Sequence, residues 1–180
     1  MQDKIILGLL SFSELSLYDL RKAMEQSTAF FYNASTGSIH PALKKLEKNG
    51  WVTVRTVSQG KREKKLYART EAGAQTFQAW ISEPLKLSTI KDEAILRLFF
   101  LGHQPQDVST QLQDYIEELT RQASVMANLQ TRLEQETVPE AWQHQAWFQL
   151  RTLKFGLDYT RFCIGWMQET LDDYQAHFPI

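Results

Sequence analysis

Ser35–Tyr67 reads STGSIHPALKKLEKNGWVTVRTVSQGKREKKLY, and this stretch decides the architecture. Ile39, Leu43 and Leu46 recur at i, i+4 and i+7, which places them on one face of a short helix with Ser38 as its cap. Pro41 falls in the first turn, where its missing N–H costs no intrahelical bond. His40, Lys44, Lys45 and Lys48 lie largely away from the apolar stripe. Asn49-Gly50 closes the helix, because glycine supplies the left-handed conformation that ends it. Val52 and Val54 then open one strand, Lys65 to Arg69 forms another, and Ser58-Gln59-Gly60 turns the chain between them.

The hairpin is strongly basic. Residues 51–70 hold Arg55, Lys61, Arg62, Lys64, Lys65 and Arg69 against one acid, Glu63. Charge on a sheet edge can serve only to keep other strands away. Four cations within positions 61–65 exceed that need and suit a phosphate backbone, where each neutralised charge releases a counterion. A short helix followed by a basic hairpin has the form of the recognition helix and wing of a winged helix-turn-helix. Ser35, Thr36 and Gly37 would approach the amino terminus of that helix, whose free N–H groups favour phosphate. The competing description of the helix is an ordinary amphipathic surface element.

Upstream, Ile5, Ile6, Leu9 and Leu10 share a face of a first helix. Ser16-Leu17-Tyr18-Asp19 fits a capping box opening a second, whose buried side is Leu17, Leu20 and Met24. Phe30, Phe31 and Tyr32 make the segment from Ser27 to Ser35 apolar enough to plug the space beneath the helices. Downstream, Thr70 caps a helix from Glu71 to Ser82 that packs through Phe77 and Trp80 or Ile81, and Pro84 stops it.

The whole chain has 180 residues with 43% hydrophobic content, enough for one or two packed domains. Its net charge of −1 conceals a division. Residues 1–70 carry 12 Lys+Arg against 6 Asp+Glu, a net of +6, whereas residues 71–180 carry 8 against 15, a net of −7. An anionic partner is therefore expected for the first part only. One cysteine, Cys163, allows no intrachain disulfide, and no signal peptide or membrane span is legible, so a cytoplasmic location is expected.

The acidic part is helical. Ile95, Leu98 and Phe99 mark a helix ended by Gly102, and Pro105 opens the next. Val108, Leu112, Tyr115, Leu119, Gln122, Met126, Leu129 and Leu133 follow in steps of four and three, a heptad seam with one polar interruption. After Val138-Pro139 a last helix runs from Glu140 to about Tyr174 with two apolar sides. Ala146, Leu150, Leu153, Leu157, Ile164, Met167 and Leu171 form one side, and Phe148, Phe155, Tyr159, Phe162 and Trp166 the other. A helix apolar on two sides needs cover on both, which points to a homodimer through these helices. An intramolecular helical hairpin against the winged domain is the alternative. The expected fold class is mainly α (α+β), with a winged helix-turn-helix domain at 1–84 and a helical dimerisation domain at 90–180.

Gly37-Ser38-Ile39-His40-Pro41-Ala42-Leu43, followed by Leu46-Glu47 and Gly50, resembles the G-x-I-Y-P-x-L-x-x-L-E-x-x-G signature of PadR-type transcriptional regulators. Gly60-Lys61-Arg62 to Lys65-Leu66-Tyr67 and Thr70-Glu71-Ala72-Gly73 are similar to that family's wing and T-E-x-G helix start. Lys91-Asp92-Glu93 and the long tail look like its larger-tailed subgroup. His40 departs from the usual tyrosine, and QGKREKK replaces a Gly-Arg-Pro wing; both bear on which DNA sequence is preferred. The resemblance implies a homodimeric repressor on a pseudo-palindromic double-stranded operator, relieved by a small aromatic or phenolic ligand lodged between the winged and helical domains. The candidate DNA contacts are Ser35, Thr36, Gly37, Ser38, His40, Pro41, Lys44, Lys45, Lys61, Arg62, Lys64, Lys65 and Tyr67.

Arg151, Lys154 and Arg161 interleave with Phe155, Tyr159 and Trp166, and could hold an aromatic carboxylate with Tyr18 facing them. An aromatic core with snorkelling cations is the competing description. A winged-helix protein-interaction module without DNA binding is the alternative function. An enzyme has little support: His40, His103, His144 and His177 are scattered, and no HExxH, GxGxxG or P-loop occurs. No catalytic residue, metal site or cofactor is expected, and Cys163 is expected to be inert packing.

Overall fold

The computed structural model describes residues 1–32, 36–59, 62–87, 91–103 and 106–178, without the side chains of residues 36, 59 and 62. The chain divides into two compact units, Met1–Lys86 and Leu87–Ile180.

In the first unit α1 (Gln2–Leu9), α2 (Leu17–Glu25) and α3 (Ile39–Lys48) surround one core. Ile6, Leu7, Leu20, Ile39, Leu43 and Leu46 are its fully buried side chains. The buried face of α1 is therefore Ile6, Leu7 and Leu10 rather than one centred on Ile5 and Leu9, which are only half-buried. Leu17 occupies the first turn of α2 and is exposed, leaving Leu20 and Met24 to face inward. Phe30 is half-buried, whereas Phe31 and Tyr32 do not plug the core but stand 44% and 43% exposed.

A short 3-10 turn, Thr36–Ser38, leads directly into α3, and Pro41 takes the third helical position. At the far end the Gly50 N–H donates to the Glu47 carbonyl and the Trp51 N–H to that of Leu46, the paired bonds of a Schellman stop. Gly50 sits at φ +69°, where a side chain would be strained.

Strands β1 (Val52–Gln59) and β2 (Arg62–Arg69) pair antiparallel, with Val52 opposite Arg69 and Gln59 opposite Arg62. Both strands are longer than the sequence pattern implies. Ser58 and Gln59 belong to β1, and the remaining turn residue, Gly60, lies outside the described residues. Leu15 adds an isolated bridge to Tyr67, its N–H donating at 3.1 Å and its carbonyl accepting at 2.9 Å. Helix α4 (Glu71–Ile81) follows, capped by the Thr70 hydroxyl accepting from the Gly73 N–H at 3.1 Å. Phe77 packs on the core beside Trp80, while Ile81 is exposed.

The second unit holds α5 (Glu93–Phe100), α6 (Val108–Gln135) and α7 (Gln143–His177). The Asp92 carboxylate caps α5 by accepting from the Ala94 and Ile95 N–H groups at 2.8 and 3.3 Å. Pro105 lies outside the described residues. The seam of α6 is buried at Val108, Leu112, Leu119 and Met126 and exposed at Gln122. It packs along α7, whose Leu153, Leu157, Met167 and Leu171 are buried. One apolar side of α7 is thus covered within the chain. The other is not: Phe148, Phe155 and Phe162 are more than half exposed, with Tyr159 and Trp166 beside them. No described helix is long and apolar enough to cross a membrane.

Candidate nucleic-acid interface

The buried trio of α3 fixes what the helix shows to solvent. Because Ile39, Leu43 and Leu46 face the core, His40, Pro41, Lys44, Lys45 and Lys48 stand exposed on the opposite face. Gly37 is exposed and Ser38 half-buried in the turn that precedes it. Ser35 lies outside the described residues, as does the side chain of Thr36. The result is a convex strip bearing three ammonium groups and an imidazole, with a glycine and a serine at its leading end.

The hairpin divides its charge more sharply than its sequence implies. Lys61 and the side chain of Arg62 lie outside the described residues. Of the four other basic side chains, three are engaged inside the unit. The Arg55 guanidinium donates through Nε at 2.9 Å, and through Nη2, to the Glu14 carboxylate. The Lys64 ammonium stands 3.0 Å from Asp19 Oδ2. Arg69 reaches the Leu7 carbonyl at 3.5 Å and lies over the Phe77 ring. Lys65 is exposed. Tyr67 needs correction as a DNA contact: it is 7% exposed and belongs to the core. Its strand pairs with Leu15 at that point, and the ring packs inward with Val52.

Asp19 is the most perturbed acid of the unit. Its Oδ2 accepts from the Ser16 hydroxyl at 2.7 Å and the Ser16 N–H at 3.1 Å, and the Ser16 hydroxyl accepts in turn from the Asp19 N–H. The Ser16 hydroxyl, then Lys64, hold the Asp19 carboxyl down from 3.8 to about 2. A depressed carboxylate contributes stability above its ordinary value and loses it as pH falls through the folded one. Asp19→Asn is therefore expected to melt below the parent at neutral pH, and the gap is expected to close between pH ~4 and ~2. Melts across that range check it; a gap independent of pH would assign the loss to cap geometry alone.

The ligand candidates are divided between the two units. Tyr18 is exposed on α2 in the first unit. Arg151, Lys154, Phe155, Tyr159 and Trp166 lie along α7, and the cations there have partners on their own helix. Arg151 covers the Trp147 ring at 5.1 Å, and Lys154 meets Asp158 at 2.6 Å. Phe155 and Tyr159 stack with centroids 6.2 Å apart. A cavity of about 140 Å³ in the second unit is lined instead by residues such as Arg97, Gln111, Tyr115 and Met167. Burial pushes the Cys163 thiol up, which disfavours the thiolate. Among the described residues no group of three His, Cys, Asp or Glu side chains is placed to hold a metal ion.

Glu14, Asp19 and Leu15 are the residues that sequence patterning misses as supports of the hairpin. Asp19 stands out in the sequence as a cap, but nothing there couples it to Lys64.

Residues 6–79 match the model of the transcriptional regulator PadR-like family, and residues 90–175 match that of the virulence activator alpha C-term family. The chain is 29% identical over 170 residues to the negative transcriptional regulator PadR of Bacillus subtilis, covering 92% of this chain and 93% of that one. It is similar in structure to Bacillus subtilis PadR in complex with operator DNA, with a TM-score of 0.80 at 28% identity over 94% of this chain and 96% of that chain. It is also similar to Bacillus subtilis PadR in complex with p-coumaric acid, with a TM-score of 0.69 at 26% identity over 94% and 92%.

Proposed function

Because this chain belongs to the PadR-like family of transcriptional regulators, we propose that it is a homodimeric repressor that grips a pseudo-palindromic operator and releases it on binding a small aromatic acid. The observation that carries the reading is the cationic outward face of α3, with His40, Lys44, Lys45 and Lys48 backed by a fully buried apolar trio. Such a helix enters a major groove with side chains free for base edges and phosphates. The wing then lies on flanking phosphate, contributing Lys65 and the cations nearer its tip. The protein works in the cytoplasm, alongside the DNA.

The uncovered aromatic side of α7 supports the dimer. Phe148, Phe155 and Phe162 recur every seven residues, the spacing at which one helix meets another. Two copies related by a two-fold axis set their recognition helices about 34 Å apart, in successive major grooves. The complexes of the Bacillus subtilis relative with operator DNA and with p-coumaric acid support the partner and the class of releasing ligand. Arg151 and Lys154 engage partners on their own helix, so such a ligand would have to displace Trp147 or Asp158 to meet them.

One titration series tests the reading. The operator, located by mapping the protein on its own genome, binds with log K falling linearly in log salt at about −0.9 per phosphate contacted. Adding phenolic acids at fixed salt weakens the complex. Lack of duplex binding even at low salt would favour the protein-interaction module instead. Operator binding indifferent to every aromatic acid would remove the effector.

A further inference from the structure

The described cations of the hairpin fall into two groups by what they touch. Directly opposed residues of an antiparallel pair share a face, and successive residues alternate. Arg55 lies opposite Leu66, and Lys64 opposite Val57, so Arg55 and Lys64 share one face of the sheet, one from each strand. That face meets acids on either side of Leu15: Glu14 in the bend after α1 and Asp19 in the first turn of α2. Leu15 itself is hydrogen-bonded to Tyr67 in both directions. The stem of the wing is therefore clamped to the corner between α1 and α2 by two backbone bonds and one ion pair on each strand.

We propose that Arg55 and Lys64 are positioning residues, which hold the wing at a fixed angle to α3 and leave phosphate to Lys65 and the cations nearer the tip. The inference rests on the DNA-binding reading above. A cation already bound to a carboxylate releases no counterion when DNA arrives. Freeing it for phosphate would leave Glu14 or Asp19 unpaired beside a polyanion. Asp19 is further immobilised by the Ser16 hydroxyl and N–H. The α2 cap and the stem of the wing are thus joined through the Leu15 bridge and the two ion pairs.

Charge exchange on the outer pair provides the test, since Asp19 cannot be exchanged without losing its cap. Arg55→Glu sets two carboxylates together and is expected to weaken operator binding roughly fivefold. Combining it with Glu14→Arg restores the pair in reverse and is expected to return affinity to within about a factor of two of the parent, with an unchanged salt slope. Thermal melts of both variants, expected to match the parent because the pair is exposed, separate loss of fold from loss of position. A slope lowered by about one in Arg55→Glu and not restored in the double variant would make Arg55 a phosphate contact and overturn the proposal. Parent protein that fails to bind duplex DNA overturns the regulator reading and this inference with it. Parent binding with no recovery in the folded double variant overturns the inference alone.

Discussion

Reversing the charge of α3 with Lys44→Glu and Lys45→Glu together is expected to abolish specific operator binding, lowering affinity by roughly 10³-fold or more at about 0.1 M salt. On the proposed docking, each lysine lost removes a phosphate or base-edge contact worth about tenfold. Each glutamate gained sets a carboxylate against the duplex, and like charges juxtaposed cost several kcal/mol, of order 10²-fold or more. The effect is expected to exceed that of substituting Arg55, Lys64 or Arg69, because these already have partners within the unit. Both lysines are exposed and outside the core, so the melting temperature should stay close to that of the parent. Fluorescence anisotropy across a salt series makes the measurement. A double variant that still binds within tenfold of the parent would take α3 out of the groove.

The success of the sequence at α3 and its failure at the wing have one physical origin. Ile39, Leu43 and Leu46 repeat with the helical period, and Gly50 marks the stop, so local information alone defines the buried and exposed faces. The capping box at Ser16 and Asp19 is legible for the same reason. The fate of the wing's cations is not local. Glu14 and Arg55 are 41 positions apart and meet only because Leu15 joins the sheet beside Tyr67. That same bridge explains why Tyr67 faces the core although lysines surround it in sequence. Phe31 and Tyr32 show the converse limit: apolar composition announces a demand for cover, but it does not say which rings the core takes in. On α7 the two apolar sides are legible from periodicity. That one is covered by α6 and the other exposed requires the packed helices. Arg151 and Lys154 looked available among aromatic residues, yet their neighbours at i−4 and i+4, Trp147 and Asp158, engage them.

Gly73→Ala is expected to destabilise the first unit severely, although alanine is the better helix former. In an open helix the exchange gains about 1 kcal/mol. Here a Cβ on Gly73 would lie 2.1 Å from the Trp51 carbonyl oxygen and 3.0 Å from its carbon, so backbone must move. That carbonyl is poorly placed to yield. It accepts from the Thr70 N–H at 3.1 Å, and the Trp51 N–H is held by the Leu46 carbonyl in the stop of α3. The Thr70 hydroxyl donates to the Gly50 carbonyl at 2.8 Å while capping α4 through the Gly73 N–H. Thr70 and Gly73 therefore join the end of α3, the start of β1 and the start of α4 in one hydrogen-bonded knot that a methyl group forces open. Overpacking typically costs about 1–3 kcal/mol and occasionally more, and an approach this close to held backbone lies at the upper end, about 3 kcal/mol. That exceeds the helix-propensity gain and predicts a fall of roughly 10 °C in the melting temperature of this unit. Operator affinity should fall with it, since the knot fixes where β1 departs from the recognition helix. Scanning calorimetry of parent and variant decides the matter. A melting temperature unchanged or raised would mean that α4 can slide away from Trp51, and that the glycine of the Thr-Glu-x-Gly turn is not what locks the wing to α3.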